Sequence, residues 1–197
     1  CCGALSTYLN GNQETSKSTE AFLKKFCEKE AIKQVIGFAT GCDSFMKKTI
    51  QSSGINIIDI QEFLLKENKL KNLFAKTQKK LRIAVHAPCT QTNSLKSPDL
   101  SLKLLKFLPQ LELKLFGENT CCGAAGLYMI EQPGIAERLV EKLLTPELLE
   151  NADIIVTSNI GCQLHFQYFL SLNQISIPVL HPIEIINQYY FFSDAVR

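Results

Sequence analysis

The sequence predicts an α/β protein: two tandem, pseudo-repeated βαβ units of Rossmann-like type with mostly parallel sheets, the first repeat truncated at its N-terminus. Three observations carry that reading. Short β-rich apolar runs alternate with stretches of helical periodicity. A cysteine-glycine motif returns at fixed spacing, and the elements around it return in the same order. The composition is that of an ordinary globular chain, with 46% hydrophobic and 20% charged residues over 197 positions.

The repeat can be followed element by element. The first copy opens on Cys1-Cys2-Gly3, and 38 residues separate Gly3 from the cysteine of Gly41-Cys42. The second has Cys121-Cys122-Gly123, and again 38 residues separate Gly123 from the cysteine of Gly161-Cys162. Each Gly-Cys pair follows an apolar run, VIGFAT (35–40) or DIIVTSNI (153–160). Each precedes a helical stretch, DSFMKKTIQSSG or QLHFQYFLSLN. NIIDIQEFLL and PVLHPIEII then supply a further strand and helix, with Glu62 matching Glu184 near each helix start.

The second copy shows an earlier half that the first lacks. LRIAVHAPC reads as a strand over 81–86 running up to Cys89. Leu100, Leu104 and Leu108 recur every four residues, the spacing of an amphipathic helix. LELKLF alternates apolar and polar residues as a strand, and Ile135, Leu139 and Leu143 mark a helix starting near Pro133. The lysine-rich 69–80 segment reads as a solvated helix end and linker, which divides the chain into a first cysteine-rich repeat at 1–78 and a second at 79–197. The chain lacks an initiator Met and is expected to be a piece of a longer protein.

With 21 basic and 19 acidic residues, the net charge of +2 argues against a nucleic-acid partner. No apolar run reaches membrane-spanning length and no secretory signal is visible, so a cytoplasmic location is expected. The eight cysteines are too sparse for a disulfide scaffold in a chain this rich in Leu and Ile. In that setting they point to metal or redox chemistry. Cys27 is the exception, reading as a small core residue inside the helical AFLKKFCEKE.

In an open parallel sheet, ligands gather at the carboxyl ends of the strands. Cys89, the Cys121/Cys122 pair and Cys162 each follow a predicted strand, so all four thiols can converge on one rim. Cys162 also opens a helix, where unpaired N–H groups favour the thiolate that binds metal. Four thiolates suit an iron–sulfur cluster or zinc. Zinc modules pair their cysteines as CxxC, and vicinal cysteines are poorly placed to chelate one zinc, so the spacing favours iron–sulfur and leaves zinc as the alternative. Cys1, Cys2 and Cys42 form the corresponding, incomplete set in the first copy. His165, three residues after Cys162, is a further candidate ligand, and His86 a candidate hydrogen-bonding neighbour. His181 occupies the place of Asp59 in the first copy, which argues against a shared metal role there.

The pattern Cys-x31-Cys-Cys-Gly-x38-Cys resembles the cysteine-rich CCG domain found in heterodisulfide reductase and in glycolate oxidase, lactate-utilisation and glycerol-3-phosphate dehydrogenase iron–sulfur subunits. HAPCTQ, CCGAAGLYMIEQPGIAERL, SNIGCQLH and PVLHPIEII are similar to the second repeat of the glycolate oxidase iron–sulfur chain; CCGALSTYL and ATGCDSFMKK are similar to its first. The resemblance implies an iron–sulfur electron-transfer subunit, itself without a catalytic residue, holding a cluster of [4Fe–4S] type. It implies partnership with a flavoprotein that oxidises a 2-hydroxy acid such as glycolate, a ferredoxin-like region upstream in the same chain, and a quinone or similar acceptor. It allows peripheral association with a membrane through partners, and an isolated fragment can be empty. The heterodisulfide reductase pattern ends in CxxC, whereas Phe45 and His165 stand at those positions here. A metal-free or zinc-holding scaffold that docks partner subunits, and thiol–disulfide catalysis of the heterodisulfide reductase kind, are the competing expectations.

Overall fold

A computed structural model of the chain describes residues 2–11, 13–50, 54–67, 70, 73–75 and 79–192. The α/β class and the parallel sheets are as the sequence predicts. In the first copy, α1 (Ala4–Asn10) and α2 (Glu14–Lys29) lead to β1 (Gln34–Gly37), α3 (Thr40–Thr49), β2 (Asn56–Asp59) and α4 (Ile60–Lys66). β1 and β2 pair in parallel, Gln34 with Asn56 through Gly37 with Asp59.

The second copy begins with β4 (Leu81–His86), which follows the short β3 (Leu73–Ala75). After β4 come α5 (Cys89–Asn93), α6 (Leu100–Leu105) and β5 (Leu111–Phe116). The chain continues through α7 (Tyr128–Glu131), α8 (Pro133–Leu143) and α9 (Pro146–Glu150) to β6 (Ile154–Val156), α10 (Ile160–Leu172), β7 (Val179–Leu180), α11 (Pro182–Tyr189) and β8 (Tyr190–Phe192). Four strands form one parallel sheet in the order β5-β4-β6-β7. The chain leaves β4 toward β5 on one side and returns to β6 on the other. Their carboxyl ends therefore form the switch point at which α/β sheets hold ligands.

The sheet is buried on both faces, which explains why β4 and β6 read as continuous apolar runs rather than alternating ones. Ile83, Val85, Ile154 and Val156 join Leu104, Leu105, Leu108 and Ile185 on one face. Ala84 and Ile155 face the other way, onto Val140, Leu143, Phe166 and Leu170. Each of the Val, Leu, Ile and Phe side chains contributes on the order of 1.5–3 kcal/mol through burial. Cys122 and Cys162 belong to this second cluster, so the core itself places two of the thiols.

The two copies correspond in detail. β1, α3, β2 and α4 match β6, α10, β7 and α11 in order and in parallel pairing. Gly3 and Gly123 share a left-handed backbone, φ +85° and +84°. A Cβ on Gly3 would meet Ser16, and one on Gly123 would meet Ala136, each thirteen residues further along. Asp59 and His181, equivalent in the repeat, both act as N-caps, accepting from Gln61 N–H and Ile183 N–H. Glu184 completes a capping box with His181, which accounts for the carboxylate at the helix start.

One feature departs from the sequence reading. The 69–80 segment is more than a solvated linker: Leu70 is buried in the core, and β3 pairs antiparallel with β8, Leu73 opposite Phe192. That pairing joins segments more than a hundred residues apart and leaves no local signature. Along α10, Ile160, Leu164, Tyr168 and Leu172 recur every four residues and are at least half exposed. Thr40 and Ser44, the equivalent positions on α3, are buried where α3 packs against α5.

Candidate metal centre

Three chain segments bring four cysteines to the carboxyl ends of β4, β5 and β6. Cys89 is the first residue of α5, set by Pro88 directly after β4. Cys162 lies in the first turn of α10, where the Asn159 side chain caps the helix by accepting from the N–H groups of Gly161 and Cys162. Cys121 and Cys122 sit in the loop after β5. Gly117, Asn119 and Gly123 all take positive φ there, so the chain turns sharply at both ends of the vicinal pair.

The thiols meet. The Cys122 sulfur lies 2.7 Å from that of Cys162, and Cys121 is hydrogen-bonded to both Cys122 and Cys89. The four sulfurs thus form a continuous chain, 89–121–122–162. All four are free thiols, Cys122 and Cys162 buried and the other two half-buried. Among the described residues, no three Cys, His, Asp or Glu side chains are already spread around a point as a preformed cation cage; these thiols hydrogen-bond to one another.

The electrostatics divide the set unequally. Thiol hydrogen bonds from Cys122 and then Cys89, with the Gly123 N–H 3.4 Å away, hold Cys121 far below the ordinary thiol range. Cys89, hydrogen-bonded to that sulfur, and Cys122, hydrogen-bonded to it and to Cys162, are pushed up, and burial adds to both. Of the four sulfurs, Cys121 is therefore the one whose surroundings most favour the thiolate. Thiolate is the form that ligates metal, so each further ligand would release a proton on loading. The donor set fits an iron–sulfur cluster on its chemistry: four sulfurs from three segments, at a rim lined by backbone N–H groups.

The other sequence-predicted residues fall as follows. Cys2 and Cys42 are hydrogen-bonded to each other, and burial, then that bond, raises Cys42 to about 11. Cys1 lies outside the described residues. His165 is buried, and its Nδ1 donates to the Cys122 carbonyl at 2.8 Å, which anchors the backbone of the vicinal pair. Phe45, its counterpart, is buried and packs edge-on against Tyr8 at 5.6 Å. Cys27 is buried in α2, as a core residue should be.

A polar node missed by the motif reading connects the two cysteine sets. Asn159 Nδ2 donates to the hydroxyls of Thr90 and Thr40, at 3.1 and 3.3 Å. Thr40 and Thr90 lie 3.2 Å apart, and Thr40 N–H donates to the Ser158 carbonyl. Thr40 precedes Gly41-Cys42 and Thr90 follows Cys89, so the helix starts of both copies dock at one place. Asn159 as an N-cap residue was a visible signal; its second role, bridging two distant threonines, was not. Asp43, beside Cys42, is also buried, neither of its carboxylate oxygens has a partner among the described residues, and desolvation followed by Asp59 raises it to about 7.

At this sheet, with cysteines gathered at its switch point, residues 83–167 match the family described as a cysteine-rich domain. Over nearly its whole length the chain is similar to particular proteins. It is 31% identical to the glycolate oxidase iron-sulfur subunit of Escherichia coli (strain K12), over 95% of this chain and 48% of that one. It is 21% identical to lactate utilization protein A of Shouchella clausii, over 95% of this chain and 82% of the other. It is 28% identical to one chain of the fumarate reductase (CoM/CoB) of Methanothermobacter marburgensis, over 82% of this chain and 33% of that protein. The chain therefore spans about half the length of the first of these relatives and a third of the last.

Proposed function

We propose that the chain is an iron–sulfur electron-transfer unit of a hydroxy-acid oxidising complex. The observation that carries this reading is the convergence of Cys89, Cys121, Cys122 and Cys162 on one rim. The names of two similar proteins, a glycolate oxidase iron-sulfur subunit and a lactate utilization protein, support an iron–sulfur subunit; its partner in this reading is a flavoprotein that oxidises a 2-hydroxy acid such as glycolate. When bound, a cluster would supply one-electron storage, and this chain would bind and orient it. Cys89, Cys121, Cys122 and Cys162 hold a cluster of [4Fe–4S] type in the repeat at 79–197. Cys1, Cys2 and Cys42 belong to a second site in the repeat at 1–78, and His165 holds the vicinal pair in place. Electrons pass from the flavoprotein to a quinone or similar acceptor, with the unit on the cytoplasmic side. No helix among the described residues is long and apolar enough to cross a membrane.

The test is anaerobic reconstitution with iron and sulfide. The wild-type chain is expected to take up roughly four irons per complete site and to show a broad visible absorption that bleaches on reduction. Cys162→Ser is expected to lose the iron of the second-repeat site while circular dichroism keeps its α/β signature. Stoichiometric zinc without redox activity, or full cluster content in Cys162→Ser, would overturn the assignment.

A further inference from the structure

His86 ends β4 opposite Phe116 and is only 1% exposed. Its side chain faces the same side of the sheet as Ala84, packed against Phe116 and edge-on to Phe166 with ring centroids 5.3 and 4.9 Å away. That is the side on which Cys122 and Cys162 are buried. The ring nitrogens differ. Nδ1 lies 3.0 Å from the Thr157 hydroxyl, which also receives the Asn159 N–H. With that N–H occupying an oxygen lone pair, the hydroxyl can direct its own proton to Nδ1. Nε2 has no hydrogen-bond partner among the described residues. It lies against Gly117, where a Cβ would stand 3.1 Å from Nε2 and 2.7 Å from Cδ2. Gly117 opens the loop that carries Cys121, and the Cys121 sulfur is close enough for its charge to bear on the ring. Burial keeps the imidazole neutral down to about pH 4, so it carries a single N–H.

An N–H buried without an acceptor costs roughly 1–3 kcal/mol, and an acceptor that arrives with a bound group is one way that cost is recovered. We propose that His86 is a positioning residue whose Nε2–H donates to anionic sulfur at the Cys121 position of the loaded site. Thr157 sets the tautomer, and Gly117 leaves the space for the ring. The inference rests on the iron–sulfur reading and deepens it. A donor to cluster sulfur stabilises the reduced, more negative state and raises the potential.

Two substitutions separate the hydrogen bond from packing. His86→Leu fills similar volume without the donor. His86→Gln places an amide N–H near the position of Nε2. After reconstitution, midpoint potentials are read by redox titration followed by electron paramagnetic resonance. His86→Leu is expected to shift the oxidised-to-reduced ratio at fixed potential about tenfold toward oxidised, a drop of about 59 mV for one electron. His86→Gln is expected to stay within threefold of wild type. Equal potentials in His86→Leu and wild type, or equal shifts in both variants, overturn the proposal. Long-range 1H–15N correlation on the metal-free wild type is the independent measurement. A proton on Nε2 supports the assignment; a proton on Nδ1 overturns it, even if a variant fails to load. Wild-type protein that takes up no iron would defeat the iron–sulfur reading, and the tautomer measurement would still decide the role of the ring.

Discussion

Replacing Gly123 with alanine tests whether the vicinal cysteine loop is held by backbone geometry. Gly123 sits at φ +84°, where an L-residue pays roughly 1–2 kcal/mol. The added methyl would stand 3.0 Å from the Cα and carbonyl oxygen of Ala136 and 3.2 Å from His165 Cε1. Two of those contacts are backbone of α8, which cannot rotate away, so a further cost of about 1–3 kcal/mol is expected for overpacking. Reduced freedom of the unfolded chain returns about 0.4–1 kcal/mol. The net is a loss of about 3 kcal/mol, or a fall in Tm of roughly 6–12 °C for a domain of this size. Urea and thermal unfolding followed by circular dichroism read it directly. Gly134→Ala is the internal control: it lies in the first turn of α8, has no atom within 4 Å of the new methyl and no positive φ. It is expected to change stability by no more than about 1 kcal/mol, toward greater stability. If Gly123→Ala unfolds within about 0.5 kcal/mol of wild type, the steric account of the loop is wrong, since a change that small is what unconstrained surface positions show.

Three further outcomes follow from the same structure. In the metal-free, reduced chain at pH 5, Cys121 is expected to react with iodoacetamide at least tenfold faster than Cys42, because its neighbours hold it as thiolate while burial raises Cys42; peptide mass mapping reads the order, and equal rates would contradict it. His181 is held to about 4 by burial, below its unfolded value of about 6.5, so the folded chain resists a proton that the unfolded chain accepts. The stability this residue contributes is complete above pH 6.5 and falls as pH drops toward 4, by at most about 3 kcal/mol; His181→Asn keeps an N-cap acceptor and is expected to flatten that fall in denaturant titrations across the window. Finally, Phe166, fully buried on the face of α10 that packs against the sheet, is expected to cost about 3–5 kcal/mol on truncation to alanine, with Tm as the readout.

Fold class, repeat and the segments that supply the thiols were legible in the linear chain because each has a local signature. Strands buried on both faces must be apolar throughout, as β4 and β6 are. A left-handed residue packed tightly against another backbone segment requires glycine, as at Gly3 and Gly123. A cysteine that follows a parallel strand is carried to the sheet's ligand-binding rim. Other features depend on residues that become neighbours only when the sheet closes. The meeting of Cys122 with Cys162, the lowered pKa of Cys121 and the bridging of Thr40 to Thr90 by Asn159 each join distant segments. The same is true of the β3–β8 pairing and of the unpartnered nitrogen of His86. Sequence periodicity reports which face of an element is apolar. It carries no information about which atoms of two elements touch, and hydrogen bonding and proton affinity are set by those contacts over a few ångströms.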